Sequence, residues 1–368
     1  MIWFEKFIKE NDWLVDRMEH CDHGHLQYVK DDSTPGDSYE HVINPFHVEG
    51  SVWTHTMMVM NELKHYDFSF EMLMAAILHD IGKPDARDVV TKDDGSVRVR
   101  FFGHAGYSFY RAIDVLKDWA IPDTDRQHIL NIISLHGEFY DFVRGDEVKS
   151  KQWTKLSNRF KHNLTLFHDV MRQVECDCNG RHTFKFEGRV DADEIAKELW
   201  ENEDCFEKLE SKRPEWNGQP VVTMLIGPPA SGKSTWVEEN KYDHHIISRD
   251  AIVMKQGGDV TYTEAWATVD HDKVNKIHNA AIRQLIKDKN SFIVDETCMS
   301  RKSRRKILCH VGKKYWKKAV VFATGYDEIM RRREAREGKE IPGYVMKNMI
   351  GSFVVPMYDE FDEIEWVF

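Results

Sequence analysis

Long apolar runs are missing from this chain of 368 residues. None approaches the roughly 20 residues that a membrane helix needs, so no membrane association is expected. The start, Met1-Ile2-Trp3-Phe4-Glu5-Lys6, has neither the basic stretch nor the apolar core of a secretory leader. Cysteine is scarce, six in all, and scattered without the spacing of a disulfide framework. Reduced thiols and a cytoplasmic location are therefore expected. No internal repeat or low-complexity tract is evident. What is present is an ordinary globular composition, 41% hydrophobic and 31% charged, in a length that favours two domains at roughly 100–200 residues each.

Charge is unevenly spread. The net charge is −11, yet residues 219–368 carry +3 and residues 1–218 carry −14. The acidic part suits a protein that holds cations. Between Arg301 and Lys318 stand nine Lys/Arg and no carboxylate. Such a run either tracks a nucleic-acid backbone or forms a solvated helix face, and charge alone does not separate the two.

Residues 50–180 have apolar positions at helical spacing, as in Val52, Val59 and Leu63, or Ile129, Ile132 and Ile133. Asp93-Asp94-Gly95-Ser96 looks like a hairpin turn, with Val97, Val99 and Phe101 alternating after it. Residues 210–220 have linker character. Beyond Pro220, short apolar runs (221–226, 245–248, 292–294, 319–323 and 364–368) alternate with helical stretches, which predicts a mainly parallel sheet covered on both faces. The expected fold is an all-α helical domain over 1–212, with 1–47 as a cap segment, followed by an α/β domain over 219–368.

Gly227-Pro228-Pro229-Ala230-Ser231-Gly232-Lys233-Ser234 fits G-x-x-x-x-G-K-[ST] in full, and Thr235 follows it. The glycines, Gly227 and Gly232 among them, let backbone N–H groups curl around phosphate oxygens, and the following helix adds its positive N-terminal end. Lys233 should reach the β/γ-phosphates of ATP and Ser234 should ligate Mg²⁺. The next strand leads into Arg249-Asp250, placing Asp250 where a carboxylate can take a proton from an attacking hydroxyl. The following one ends in Asp295-Glu296-Thr297, and Asp295 is a candidate for the acceptor or a magnesium-bound water. Helix capping is the plainer reading of both aspartates. Arg332 and Arg336 are four apart, which puts them on one helix face as candidate lid arginines over a transferring phosphoryl group.

On the 227–234 loop, Arg249-Asp250, Asp295–Thr297 and Arg332…Arg336 followed by Pro342, residues 219–368 resemble the 5′-hydroxyl polynucleotide kinases of phages and bacterial RNA-repair enzymes. The resemblance implies Asp250 as general base toward a 5′-OH. Two positions depart from the family pattern, both on the acceptor side. Val253 stands where members often carry arginine, and Thr297-Cys298 where they often carry Thr-Asn.

In the first half, Leu78-His79-Asp80-Ile81-Gly82-Lys83-Pro84 sets an imidazole beside a carboxylate at a helix end, where both can converge on one divalent cation. His55, His79 and His136 fall on apolar helix stripes, and His104 follows Gly103 at a helix start. One carboxylate is still needed. Asp177 continues the Leu166–Val170–Val174 stripe and is favoured, while Asp169 competes from a more polar face. The set His55, His79-Asp80, Asp177 resembles the HD metal phosphohydrolase superfamily. The stretch from Leu78 to His104 looks particularly like the HD domains of tRNA-processing nucleotidyltransferases. This resemblance, over residues 48–182, implies one or two transition metals such as Mn²⁺ activating a water, with His104 and His136 completing a two-metal site and Lys83 touching a phosphate oxygen. His20, His23, His25, His41 and His47 match nothing in that pattern.

The pairing resembles the bifunctional end-healing enzymes of bacterial and phage RNA repair. It implies removal of a 2′,3′-cyclic phosphate or 2′-phosphate by one domain and phosphorylation of a 5′-OH by the other. The implied partners are RNA ends, with DNA ends as a second substrate and a ligase as the functional link, in a bacterial or phage-infected cytoplasm. The alternatives are a small-molecule, nucleoside-type kinase fused to an HD nucleotide phosphatase, or an HD part that only binds nucleic acid.

Overall fold

A computed structural model describes residues 2–23, 26–27, 41–42, 47–91, 93, 97–139, 150–183, 189–242, 244–336 and 339–368. The chain divides into two compact units, residues 1–154 with 164–206, and residues 155–163 with 207–368. No described helix is long and apolar enough to cross a membrane.

The first unit is helical. Its elements run α1 (Ile2–Glu10), α2 (Asp12–Glu19), β1 (Leu26–Gln27), β2 (His41–Val42), α3 (Val52–Leu63), α4 (Phe70–Leu78), α5 (Lys83–Ala86), β3 (Asp88–Thr91), β4 (Val97–Arg100), α6 (His104–Leu116) and α7 (Asp123–Leu135). After α8 (Ser150–Arg159), the second half of which groups with the second unit, come α9 (Leu164–Asn179) and α10 (Ala192–Trp200). Ser51 and Ser69 cap α3 and α4 by accepting backbone N–H bonds from Thr54 and Met72. The apolar stripes face inward as their spacing predicts: Val52, Val59, Ile129, Ile132, Ile133, Leu166, Val170 and Val174 are all buried. Strands β3 and β4 pair antiparallel from Asp88↔Arg100 to Thr91↔Val97. Of the expected turn between them, residues 94–96 lie outside the described residues, as do His25 and Tyr140.

Two glycines let the helices of this unit meet closely. A Cβ on Gly82, just after the His-Asp dyad, would lie 2.2 Å from Ser108 N, and a Cβ on Gly180 would lie 2.6 Å from Val59 N. Gly82 N instead donates to Ser108 Oγ at 3.0 Å. The end of α4 is thereby fastened to α6, and the end of α9 to α3.

The second unit is a five-stranded sheet whose strands are all parallel, flanked by helices. It contains the second half of α11 (Glu203–Glu210), then β5 (Val221–Ile226), α12 (Lys233–Asn240), β6 (His245–Ile247), α13 (Arg249–Gly257), α14 (Tyr262–Thr268), α15 (His271–Lys287), β7 (Phe292–Val294), α16 (Arg301–Leu308), β8 (Trp316–Phe322), α17 (Tyr326–Glu334), α18 (Gly343–Gly351) and β9 (Glu363–Val367). The strand order is β6-β7-β5-β8-β9. Each expected apolar run became a strand; the central β7, β5 and β8 are largely buried, as helices on both faces require, whereas β6 and β9 at the edges are more open. Leu225, Val237, Ile293, Val320 and Phe322 form one packed cluster beneath α12. The order β6-β7-β5 sets three strand ends side by side, and the C-terminal edge of such a sheet is where ligands bind.

Candidate functional site

In the helical unit, the side chains meet at the ends of α3, α4, α7 and α9 and the start of α6. His55, His79, Asp80, His136 and Asp177 are each at most 2% exposed. Two groups of potential metal ligands result: His55, His79 and Asp177, and Asp80, His104 and His136. Asp80 stands between them. Its Oδ2 lies 3.1 Å from His79 Nε2 and 3.5 Å from His55 Nε2, and its Oδ1 lies 3.5 Å from His104 Nε2. Asp177 Oδ1 is 2.9 Å from His55 Nε2. Asp169 is elsewhere, 2.6 Å from His128 Nε2.

Backbone carbonyls set the ring orientations. His79, His104 and His136 direct Nδ1 at the carbonyl oxygens of Ala76 (2.8 Å), Phe101 (2.9 Å) and Ile133 (2.6 Å). A carbonyl can only accept, so each Nδ1 carries a proton, and Nε2 is the nitrogen turned inward, able to ligate a cation once it carries no proton. His79 Nε2 and Asp80 Oδ1 are buried without a hydrogen-bond partner. Inward ring nitrogens, buried carboxylates and buried polar atoms without a partner fit one or two divalent cations.

The electrostatics agree. Burial works against the His55 imidazolium, yet Asp177 and Glu49 carry its pKa up to about 9. Burial pushes His104 down to about 4 and also lowers His136, where the charge of His79 adds to the effect. The charges of His79 and Lys83 hold Asp80 well below the usual carboxylate range despite burial, and His55 does the same for Asp177. In the absence of a metal, the His55 proton supplies the positive charge that the carboxylates need.

Three residues outside the expected set join this site. Glu49 Oε1 lies 3.0 Å from His55 Nδ1 and 2.8 Å from His47 Nδ1. His23 stacks on His47 with ring centroids 4.4 Å apart, and with Glu49 these two form a further ligand group. Lys83 is buried, with Nζ 2.7 Å from Asp80 Oδ2 and 2.9 Å from His23 Nε2. Its ammonium thus points into the cluster. Among the described part of the expected cap, His23 and His47 are therefore core residues of the site, whereas the His20 side chain is exposed. These residues sit in an aperiodic stretch, so helical spacing could not reveal them; His47-x-Glu49 directly before the Ser51 cap is the one local signal.

In the sheet unit, β5 runs into the loop of residues 227–232, and Gly232 adopts φ +98 before α12 begins at Lys233. Only a residue without Cβ enters that region freely. Lys233 Nζ donates to Gly227 O at 2.8 Å and Pro228 O at 2.6 Å. Burial draws its ammonium down to about 8 against the opposing pull of Asp295, itself raised by burial. Ser234 and Thr235 occupy the first turn of α12. The loop is tied to the segment after β7, where Gly227 N donates to Thr297 O at 3.0 Å, and that segment to the end of β6, where Asp295 N donates to Ile247 O at 2.8 Å. Asp250 is the second residue of α13, whose cap is Ser248. Its carboxylate accepts from Tyr262 Oη at 2.7 Å and pairs with Lys339.

The arginines part company. Arg332 Nη1 reaches Ala230 O in the phosphate loop at 3.4 Å, while its Nε binds Glu328 Oε1 at 2.6 Å. Arg336 does not share its helix face, because α17 ends at Glu334 and Arg336 N bonds to Arg333 O in a tighter final turn. The expectation of two lid arginines on one helix is corrected accordingly. The basic run is also less open than its charge suggests. Arg304 is fully buried, bonded to both carboxylate oxygens of Glu360 and to the carbonyls of Cys298, Met299 and Val354. Arg301 pairs with Asp359, and Lys318 with Glu363 and Glu365.

Comparison with known proteins separates the same two parts. Residues 52–151 match the family model of the HD domain, and residues 222–356 match that of an AAA domain. Among curated proteins, an L-seryl-tRNA(Sec) kinase of Methanococcus maripaludis is 24% identical over 143 residues, 37% of this chain and 53% of that protein. The chain thus spans about half the length of that relative. Among solved structures, a chain of the Pnkp1/Rnl/Hen1 RNA repair complex is 22% identical with a TM-score of 0.32, covering 39% of this chain and 46% of that one. A gluconokinase from Sinorhizobium meliloti 1021 is 16% identical with a TM-score of 0.30, covering 40% of this chain and 82% of its own. Kti12 of Chaetomium thermophilum in complex with ADP-AlF3 is 16% identical with a TM-score of 0.29, covering 40% and 88%. The chain thus carries one stretch that matches an HD domain and, after it, one that matches an AAA domain.

Proposed function

We propose that this protein heals nucleic-acid ends, most directly those of cleaved RNA. The HD domain hydrolyses a 2′,3′-cyclic phosphate or 2′-phosphate, and the P-loop domain transfers the γ-phosphate of ATP to a 5′-OH. The observation that carries the reading is the pairing, in one chain, of a bridged two-group metal-ligand cluster with a phosphate loop that shares its sheet edge with Asp250, two strands away. Ribonuclease cleavage leaves the two ends that such a pair would convert, and a ligase could then join them.

On the kinase side, the backbone of residues 227–234 cradles the ATP phosphates. With nucleotide bound, Lys233 would exchange its loop carbonyls for the β/γ-phosphates, and Ser234 would hold Mg²⁺. Asp250 accepts the proton of the attacking hydroxyl once Lys339 and Tyr262 give way or share it. Asp295 lies close enough to Lys233 to oppose the loss of its charge and would help to hold the magnesium. Arg332, freed from Glu328, stabilises charge on the transferring group, and Arg336 joins it from beyond the helix end.

On the HD side, His55, His79 and Asp177 would hold one divalent cation and Asp80, His104 and His136 another. Bound there, divalent cations such as Mn²⁺ lower the pKa of water to make a nucleophile near neutral pH. Glu49 orients His55 through Nδ1, and the three backbone carbonyls orient the other rings. Lys83 adds a fixed positive charge beside Asp80, available to a phosphate oxygen.

The acceptor-side departures favour a second reading, a small-molecule kinase joined to an HD nucleotide phosphatase. Val253 is fully buried and Cys298 nearly so, so neither position offers a polar group to an acceptor. One incubation separates the two readings: an RNA carrying 5′-OH and 2′,3′-cyclic-phosphate ends, beside free nucleosides, with ATP and Mn²⁺ or Mg²⁺. End healing predicts a 5′-phosphate and loss of the cyclic phosphate on the RNA. Phosphorylation confined to the nucleosides would support the second reading.

A further inference from the structure

Beside Asp250 the sheet unit carries two aromatic residues on a short, firmly held helix. Tyr262 and Trp266 are four apart on α14, with ring centroids 6.0 Å apart and planes 31° from parallel. Tyr262 gives its hydroxyl to Asp250 at 2.7 Å, and Trp266 is 41% exposed. An exposed tryptophan alone is ordinary. This one is flanked by cations. The Arg249 guanidinium lies 5.9 Å from the Trp266 ring, and the Lys339 ammonium lies 4.0 Å from the Tyr262 ring.

The support beneath the rings is rigid. Thr261 and Glu264 form a reciprocal capping box at the start of α14. Ala265 is fully buried and packs with Val253 and Val274 of the adjacent helices. A Cβ on Gly257 would stand 2.5 Å from the Ala265 Cβ, so α13 and α14 approach as closely as they do only because Gly257 has none. The His271 ring closes the far side, 4.7 Å from that of Trp266. Burial and the Asp250 carboxylate push the Tyr262 phenol well above its ordinary pKa, so it stays a neutral donor.

We propose that Tyr262 and Trp266 form a stacking ledge for the 5′-terminal nucleobase of a polynucleotide acceptor, with Arg249 and Lys339 supplying positive charge beside its backbone. This rests on the reading of the domain as a 5′-hydroxyl kinase and names the part of the acceptor it grips. In a ribonucleoside the 5′-carbon and the base project from the same face of the sugar across its ring oxygen, so a 5′-hydroxyl delivered to Asp250 brings its base within reach of the residues that flank Asp250. Every base has a π-face, so stacking holds any sequence, as an end-healing enzyme requires. Flanking cations suit a polyanionic strand and add cation–π attraction. The ledge also supplies acceptor contacts that buried Val253 and Cys298 do not.

The test is steady-state kinase kinetics on two strands that differ only at the 5′ terminus, one ending in adenosine and one abasic there. Trp266→Ala is expected to raise KM for the adenosine-ended strand roughly ten-fold, within the range of base–aromatic stacking. KM for ATP should hold, and the abasic strand should respond little. Trp266→Phe, which keeps a ring, should recover most of the affinity and guards against a folding artefact. An unchanged KM in Trp266→Ala, or an equal loss on both strands, overturns the ledge while leaving the kinase reading intact. Failure of the unaltered protein to phosphorylate either strand, with transfer to a small acceptor, overturns both.

Discussion

His104 and His136 face each other through their Nε2 atoms at 2.9 Å, while each Nδ1 is committed to a backbone carbonyl. Two imidazole lone pairs at that separation repel unless a proton or a cation lies between or beside them. Burial lowers the pKa of both rings, which disfavours the proton. A metal ion shared with Asp80 would relieve that repulsion.

His136→Ala is therefore expected to remove one bound cation while leaving the His55, His79 and Asp177 group loaded. Elemental analysis of purified protein, set against that of His79→Ala, reads this directly. Full metal content in His136→Ala would show that His104 and His136 only pack against one another.

The choice between two aspartates gives a sharper test. Asp177→Ala should lose metal and phosphohydrolase activity, because Asp177 lies within the cluster. Asp169→Ala should keep both, since it removes only the partner of His128. The opposite pattern would place the ligand on the wrong turn of α9.

Glu49 is expected to act through His55. Glu49→Ala should weaken metal binding about 10–100-fold, the usual effect of losing a partner that orients a ligating histidine. Glu49→Gln, which keeps an acceptor oxygen, should lose less. Equal, wild-type metal affinity in both variants would assign Glu49 to packing alone.

The pH dependence follows from His55. Its pKa in the folded, metal-free protein is about 9, above the 6.5 of a free histidine. A raised pKa means that this proton stabilises the fold fully below 6.5 and that the contribution fades as pH rises through 9. A metal must displace the same proton, so metal affinity should climb across that interval. Calorimetric titration with Mn²⁺ at pH 7, in two buffers of different ionisation enthalpy, should register about one released proton per HD site from this residue. No proton release would contradict the assignment of His55 as a ligand.

Much of this architecture is legible in the chain. The run at 221–226 followed by a complete phosphate-loop motif could only be a strand entering a helix, and β5 and α12 form there. Buried His79 and Asp177 could be read from apolar stripes because a helix repeats its inward face every three or four residues. The remainder is tertiary. Glu49, His23 and His47 lack periodicity, so their convergence on His55 has no local signature. Arg304 meets Glu360 across 56 residues, which turns part of a basic run into a buried ion pair. Arg336 falls off its helix with neither Gly nor Pro among residues 331–336 to announce the end.

On the kinase side, Asp250→Asn should lower 5′-phosphorylation by about 10²–10⁴-fold, the typical contribution of a general base, with little change in KM for ATP. Near wild-type turnover would move the role of base to another group.

The central claim is that one chain holds two separate phosphate chemistries, and one cross-comparison tests it. An RNA with 5′-OH and 2′,3′-cyclic-phosphate ends is incubated with ATP, Mg²⁺ and Mn²⁺ and with unaltered protein, Lys233→Ala or Asp177→Ala, and both ends are resolved. The account predicts that Lys233→Ala leaves the 5′-OH untouched yet opens the cyclic phosphate, and that Asp177→Ala does the reverse. Loss of both activities in either folded variant, or a cyclic phosphate left intact by the unaltered protein, would contradict it.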